Sequence, residues 1–223
     1  MRFSKAEMQA TAKAVRKNIK NGKGYPSYVN MVDMNKKPHK LSKAQYMGLY
    51  EAQNVFIMKN GRYPNYTTLN STANNCLVMD YQDKNTTCGP TSLSMAIQLL
   101  FSYVSEQKCA KACKTGSTGT DPSNLIAGAK SLGYKLTKIS RNKTAVKHAL
   151  TLAEPVIAHI QTKPATCLGY TGDYGHYILI YGVTNDGYYR IADPTKGIKK
   201  CKASIIDGAT NGRSIHYYRV GIL

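Results

Sequence analysis

Apolar residues fall into two kinds of pattern along this chain. In the first they recur every three or four positions, the period of an amphipathic helix. Leu93, Ile97, Leu100, Phe101 and Val104 do so and predict a helix from Gly89 to Val104. Leu125, Ile126, Ala129 and Leu132 follow the helix-start signal Asp121-Pro122-Ser123, and Gly133 ends that run. A third helix is predicted over Lys143–Ala153. In the second pattern, short β-branched runs predict strands at Pro155–Ile160, His176–Val183, Tyr188–Ala192 and Ile215–Val220, with a shorter one at Cys76–Met79. Asn185-Asp186-Gly187 is the turn signal of a hairpin. Helices first and antiparallel strands after them predict an α+β fold.

Upstream of this region the pattern repeats itself. A constant shift of 38 residues carries Ser4-Lys5-Ala6 onto Ser42-Lys43-Ala44, Ala14 onto Ala52, Ile19 onto Ile57, Tyr25-Pro26 onto Tyr63-Pro64, and Tyr28 onto Tyr66. Each copy reads as a helix, Lys5–Lys20 or Lys43–Lys59, broken near Gly22 or Gly61 and followed by an extended Tyr-Pro-x-Tyr stretch. Met31 to Lys40 reads as a basic connector. The polar run Asn70–Asn75 marks a boundary, giving a domain of two repeats over 1–70 (about 4–33 and 42–70) and a second domain over 71–223. Repeats of this kind are usually binding modules. Tyr25, Tyr28, Tyr63 and Tyr66 offer flat amphipathic contact surfaces, or staple each helix to its return segment.

Charge narrows the partners. The 223 residues carry 31 Lys and Arg against 12 Asp and Glu, a formal net charge of +19. Such a chain seeks an anionic partner. The charge is spread along the sequence, and no motif reads nucleic-acid grooves, so a nucleic-acid partner is not expected. No run is long and apolar enough to span a membrane, and no signal-peptide pattern opens the chain. Synthesis in the cytoplasm as a soluble monomer is therefore expected, with release by lysis if the target lies outside.

The candidate chemistry sits at the start of the Gly89 helix. Cys88 precedes Gly89-Pro90, where backbone N–H groups and the helix dipole favour a thiolate. Gln82, six residues upstream, could donate its amide to a developing oxyanion beside the Cys88 N–H. His176 opens one strand and Asp193 closes the next, so the hairpin can bring carboxylate to imidazole. Asp173 is the rival orienter. His39, His148, His159 and His216 compete for the base role without so well placed a partner. Tyr170, Gly172, Tyr174 and Gly175 lie in the approach to His176 and are candidates for a substrate groove. Cys76, Cys109, Cys113, Cys167 and Cys201 lack the two close pairs of a zinc site, and free structural thiols are expected in a reducing cytoplasm.

The order Gln82, Cys88, His176, Asp193 resembles the papain-like cysteine peptidases, closest to the compact branch that includes bacteriocin-leader peptidases. The run Asn60-Gly61-Arg62-Tyr63-Pro64-Asn65-Tyr66 resembles the pseudomurein-binding repeat of methanogen wall proteins, and Asn21 to Tyr28 is a looser copy. Together they resemble the pseudomurein endoisopeptidases of methanogen viruses and proviruses. The resemblance implies a papain-like core, a Cys88–His176–Asp193 triad with Gln82 in the oxyanion hole, and cleavage of the alanine–ε-lysine isopeptide bond in an archaeal wall. It also implies a possible calcium requirement, although the sequence contains no recognisable calcium loop. Two other readings stay open, a transporter-type leader-peptide peptidase and an inactive wall-binding protein.

Overall fold

The computed structural model describes residues 1–212 and 215–223, which form two compact units. The first comprises Met1–Val78 with Ile97–Tyr103, the second Met79–Ala96 with Val104–Leu223.

In the first unit the order is β1 (Arg2–Ser4), α1 (Lys5–Lys20), β2 (Tyr28–Val32), β3 (Pro38–Ser42), α2 (Lys43–Asn60) and β4 (Tyr66–Thr68). Each helix starts at a serine whose hydroxyl accepts a backbone N–H three residues on, Ser4 from Glu7 and Ser42 from Gln45. Met8, Val15 and Ile19 make the buried stripe of α1, and Gly61 ends α2 in the left-handed region at φ 65°. The stretch expected to be a connector instead holds the end of β2, a turn at 33–37 and the first three residues of β3. A strand precedes each helix, β1 before α1 and β3 before α2.

Those strands pair across the repeats. β1 pairs antiparallel with β4, and β2 with β3. Ser4 lies opposite Tyr66, and Ser42 opposite Tyr28, so the two ladders share one register under the 38-residue shift. Neither copy has an internal strand partner. A two-stranded ladder is marginal in water, so each ladder depends on the helices that cover its buried positions, such as Phe3 and Leu41.

Cys76–Met79 is not a strand. Its backbone groups find side chains instead: Asn54 donates to the Cys76 carbonyl, and the Val78 N–H donates to Gln98 Oε1. With those groups satisfied, no ladder is needed.

The second unit contains α3 (Cys88–Leu99, whose last turn belongs to the first unit), α4 (Glu106–Ala112), α5 (Pro122–Ser131), β5 (Tyr134–Ile139), α6 (Lys143–Thr151), β6 (Val156–Gln161), β7 (Gly175–Val183), β8 (Tyr188–Asp193), β9 (Gly197–Lys202), α7 (Ala203–Asp207) and β10 (Tyr217–Ile222). Among the described residues its sheet has six strands in the order β5-β10-β6-β7-β8-β9, with antiparallel pairing throughout. One face buries Val156, Ile160, Ile178, Ile180 and Ile191 against Val146 and Ala149 of α6 and Ile206 of α7.

α3 stops five residues short of the predicted end, because Phe101 turns to φ 58°. Leu100 and Phe101 are nevertheless buried, so their apolar spacing marked burial rather than helix. In α5, Ile126 faces out at 38% exposure; Leu125 and Ala129 carry the core contact. The Ser105–Thr120 stretch, expected to be a loop, contains α4, capped by the Ser105 hydroxyl.

The expectation of five free spare thiols fails at one pair. Cys167 and Cys201 form a disulfide, with Cα atoms 5.7 Å apart. They are 34 residues apart in sequence, and only the folding of β9 beside β8 brings them together. Cys76, Cys109 and Cys113 are buried and free. Burial pushes the Cys76 and Cys113 thiols up to about 12 and raises Cys109 further.

Candidate active site

The hairpin of β7 and β8 is closed by Gly187 at φ 82°. Its register sets Leu179 opposite Ala192, so Asp193 falls opposite Ile178, one pleat from His176 on the same face. His176 Nε2 lies 3.0 Å from Asp193 Oδ1. Both side chains are buried, His176 at 3% exposure and Asp193 at 0%.

Asp193 is held from four sides. Its Oδ1 accepts the N–H groups of Thr195 and Lys196 at 2.9 and 3.1 Å, as well as the imidazole. This is an Asx turn, and Asp-Pro-Thr-Lys-Gly is the local sequence that makes one. The fourth donor is the Tyr170 hydroxyl, 2.8 Å from Oδ1, 3.0 Å from Oδ2 and 3.0 Å from His176 Nε2. Burial alone would raise the Asp193 carboxyl, but the His176 hydrogen bond and charge, with the Thr195 N–H and Tyr170 hydroxyl, hold it below its usual range.

Cys88 is half-buried at the first position of α3, and its thiol hydrogen-bonds the His176 ring. With Nε2 engaged, Nδ1 is the ring nitrogen left to serve the sulfur. Burial raises the thiol, but His176, through its hydrogen bond and its charge, and the N–H groups of Tyr177 and Gly89 bring it below its ordinary value. Burial pulls the His176 imidazole down, yet hydrogen bonds to Asp193 and Cys88 lift it to about 9. Both shifts favour the thiolate–imidazolium pair over the neutral thiol and imidazole.

Gln82 is fixed from both ends of its amide. Oε1 accepts the Thr195 hydroxyl at 3.1 Å, and Nε2 donates one hydrogen to the Lys84 carbonyl at 2.8 Å. Its backbone N–H reaches the Pro194 carbonyl at 3.0 Å. One amide hydrogen is left on Nε2. Glu106 accepts the Asp83 N–H at 2.9 Å and braces the same loop. Beside that loop opens a cleft of about 540 Å³, lined by Asp83, Thr86, Thr87, Glu106 and Gly116 among others.

The rest of the predicted groove divides. Gly172, Tyr174 and Gly175 are exposed on the run into His176. The charges of Asp193 and Cys88 reach Tyr174, secondary to its burial, and raise its hydroxyl. Gly175 also has a packing reason, since a Cβ there would come within 2.9 Å of His159 Nε2. Tyr170 turns its hydroxyl inward to the His176–Asp193 pair. The sequence signal for that role was weak, because the loop holding Tyr170 is tied to β9 by the Cys167–Cys201 disulfide. Asp173 is occupied elsewhere, accepting from Gln161 and Asn211.

The other histidines stand apart. His39 has a carboxylate partner, Asp33 at 3.0 Å, but it lies in the first unit. His148 is exposed on α6, His159 stacks on Tyr177, and His216 contacts Lys138. Among the described residues, no three His, Cys, Asp or Glu side chains converge to hold a metal ion. No described helix is long and apolar enough to cross a membrane.

Comparison with known proteins agrees with this core. The peptidase domain of Streptococcus ComA, described as a bi-functional ABC transporter involved in a quorum sensing pathway, matches with a TM-score of 0.52 at 21% identity, covering 65% of this chain and 98% of that one. A double glycine motif protease from an AMS/PCAT transporter, solved with the leader peptide, matches at 0.49 and 19% identity, covering 64% and 91%. No curated protein sequence matches. The first of these similarities supports a papain-like α+β peptidase fold, and the family model of the C39 peptidases matches residues 77–209. More than half of the sequence thus carries the family pattern, and the chain belongs to the Peptidase C39 family of cysteine peptidases.

Proposed function

We propose that this chain is a cysteine endoisopeptidase that cuts the alanine–ε-lysine bond in pseudomurein cross-links, with its N-terminal unit anchoring it to the wall. The observation that carries the catalytic half is the buried Asp193–His176 pair, with His176 also hydrogen-bonded to the thiol of Cys88 at a helix start. The wall half rests on the duplicated N-terminal unit, its tyrosines and the net charge of +19.

The chemistry follows from the ion pair. The Cys88 thiolate attacks the scissile carbonyl, and the oxyanion accepts from the remaining Gln82 amide hydrogen and the Cys88 N–H. Each such donor is typically worth about 100- to 1,000-fold in rate. His176 gives its Nδ1 proton to the departing lysine amine, leaving a thioester on Cys88. Water then attacks the thioester and gives its proton to His176, and the acid departs as the thiolate is restored. Activity should rise with pH as Cys88 ionises, below the usual thiol range, and fall near pH 9 as His176 loses its proton.

Digestion of purified pseudomurein, with mass spectrometry of the new ends, tests the reading. New alanine carboxyls paired with free lysine ε-amines are expected. Undigested wall beside efficient cleavage of a double-glycine leader peptide would favour a leader peptidase instead, the activity named for the AMS/PCAT protease.

Tyr170 has its own expected result as a positioning residue. A Tyr170→Phe variant removes one donor from the Asp193 carboxylate. We expect kcat to fall about ten-fold, roughly 1.4 kcal/mol, with KM unchanged. The carboxylate, less neutralised by hydrogen bonding, should hold the imidazolium more tightly, and the alkaline limb of the pH profile should move upward. An unchanged kcat and an unchanged limb would show that Tyr170 only packs.

A further inference from the structure

The exchanged strands of the N-terminal unit build one contact twice. Lys40 Nζ sits 3.9 Å from the ring centre of Tyr28, and the Arg2 guanidinium 5.1 Å from that of Tyr66. The 38-residue shift carries Arg2 onto Lys40 and Tyr28 onto Tyr66. In each pair the tyrosine ends one repeat's return stretch, while the cation lies on the strand that opens the other repeat. Both tyrosines remain open to solvent, Tyr28 at 50% and Tyr66 at 44% exposure.

An inner pair duplicates as well, Lys43 over Tyr25 at 4.8 Å and Lys5 over Tyr63 at 5.8 Å. Those tyrosines are half-buried, and the Tyr25 hydroxyl donates to the Leu99 carbonyl at 2.8 Å. They hold the unit together. The sequence alone left each of the four tyrosines as either a contact surface or a staple; in the structure Tyr25 and Tyr63 are half-buried and Tyr28 and Tyr66 exposed.

We propose that Tyr28 with Lys40, and Tyr66 with Arg2, are two equivalent docking platforms for an anionic saccharide–peptide polymer, each made jointly by both repeats. This rests on the reading of the N-terminal unit as the wall anchor and adds which residues bind and why two repeats are needed. The cation lies over one face of each ring and receives a carboxylate, and the other face of the exposed ring receives the C–H face of a sugar. Neither repeat alone holds a tyrosine and its cation. Each platform is weak by itself, and a repeating polymer that engages both gains avidity.

The test uses the full chain carrying Cys88→Ala, so that the wall is not digested, and co-sedimentation with purified pseudomurein at rising salt. Tyr28→Ala and Tyr66→Ala should each weaken binding about ten-fold or more and by similar factors. The double variant should lose on the order of 100-fold or more. Lys40→Glu and Arg2→Glu should reproduce the loss with both rings in place, and melting temperatures report folding for every variant. If the parent sediments and the double tyrosine variant, folded, sediments equally well, the platforms are overturned while the anchor reading stands. A parent that fails to sediment overturns both.

Discussion

A Cys88→Ala variant is expected to lose amide hydrolysis by a factor on the order of a million, with its melting temperature nearly unchanged. The size of the loss follows from the nucleophile acting as one unit with its base, so that removing either member leaves only binding and oxyanion stabilisation. The small structural effect follows from position. Cys88 is half-buried at the start of α3, and the first turn is tied independently by the Thr91 N–H and hydroxyl, both of which donate to the Thr87 carbonyl. Cys109→Ala is the matched control. That thiol is fully buried, and burial raises it well above the ordinary range, so it is inert at neutral pH. Its removal should cost about 1 kcal/mol or more of stability and leave kcat alone. Alkylation by iodoacetamide near pH 7 should mark Cys88 before any other free thiol. Full turnover by Cys88→Ala, or inactivation that tracks another cysteine, would remove the thiolate mechanism.

The same contrast explains what could be read in advance. That Cys88, His176 and Asp193 come together could be read because each stands at a local signal: a helix start, a strand mouth and an Asp-Pro turn. Local signals are written in a few neighbouring residues. The helices α1 and α2 were legible for the same reason, their serine caps and their Gly breaks being local. β5 and β9 were missed because lysines fall on both sides of each strand, Lys135 and Lys138 in β5 and Lys199 and Lys200 in β9, and break the alternation, and their place in the sheet comes from β10 and β8. The exchange of β1 and β3 between repeats was invisible because pairing joins positions more than sixty residues apart in one ladder, Arg2 with Thr68. The disulfide and the inward turn of Tyr170 belong to the same class. Both depend on β9 lying beside β8, which no spacing in the chain announces.

Removing the charge of Asp193 should have the second-largest effect, and two substitutions separate its parts. In Asp193→Ala the imidazole loses its hydrogen bond and its counter-charge. Burial, which already pulls His176 down, then acts with less opposition, and its pKa should fall below about 9. With less positive charge beside it, the Cys88 thiol should rise. The two limbs of the pH profile then approach each other, and the ion pair is depleted at neutral pH. A loss in kcat of about 100- to 10,000-fold is expected. The same change leaves the Thr195 and Lys196 N–H groups without their acceptor, which costs about 1–3 kcal/mol for each group left unsatisfied, so the melting temperature should fall too. Asp193→Asn keeps an oxygen at Oδ1 for those two donors and for His176 Nε2, and removes only the charge. It should melt closer to the parent, keep more activity than alanine, and still show the alkaline limb displaced downward. If the two variants lost activity equally and with the same limb positions as the parent, Asp193 would be a turn-maker alone. The imidazolium would then owe its stability to Cys88, and the orienting role would pass from the carboxylate to Tyr170, the other group in contact with Nε2.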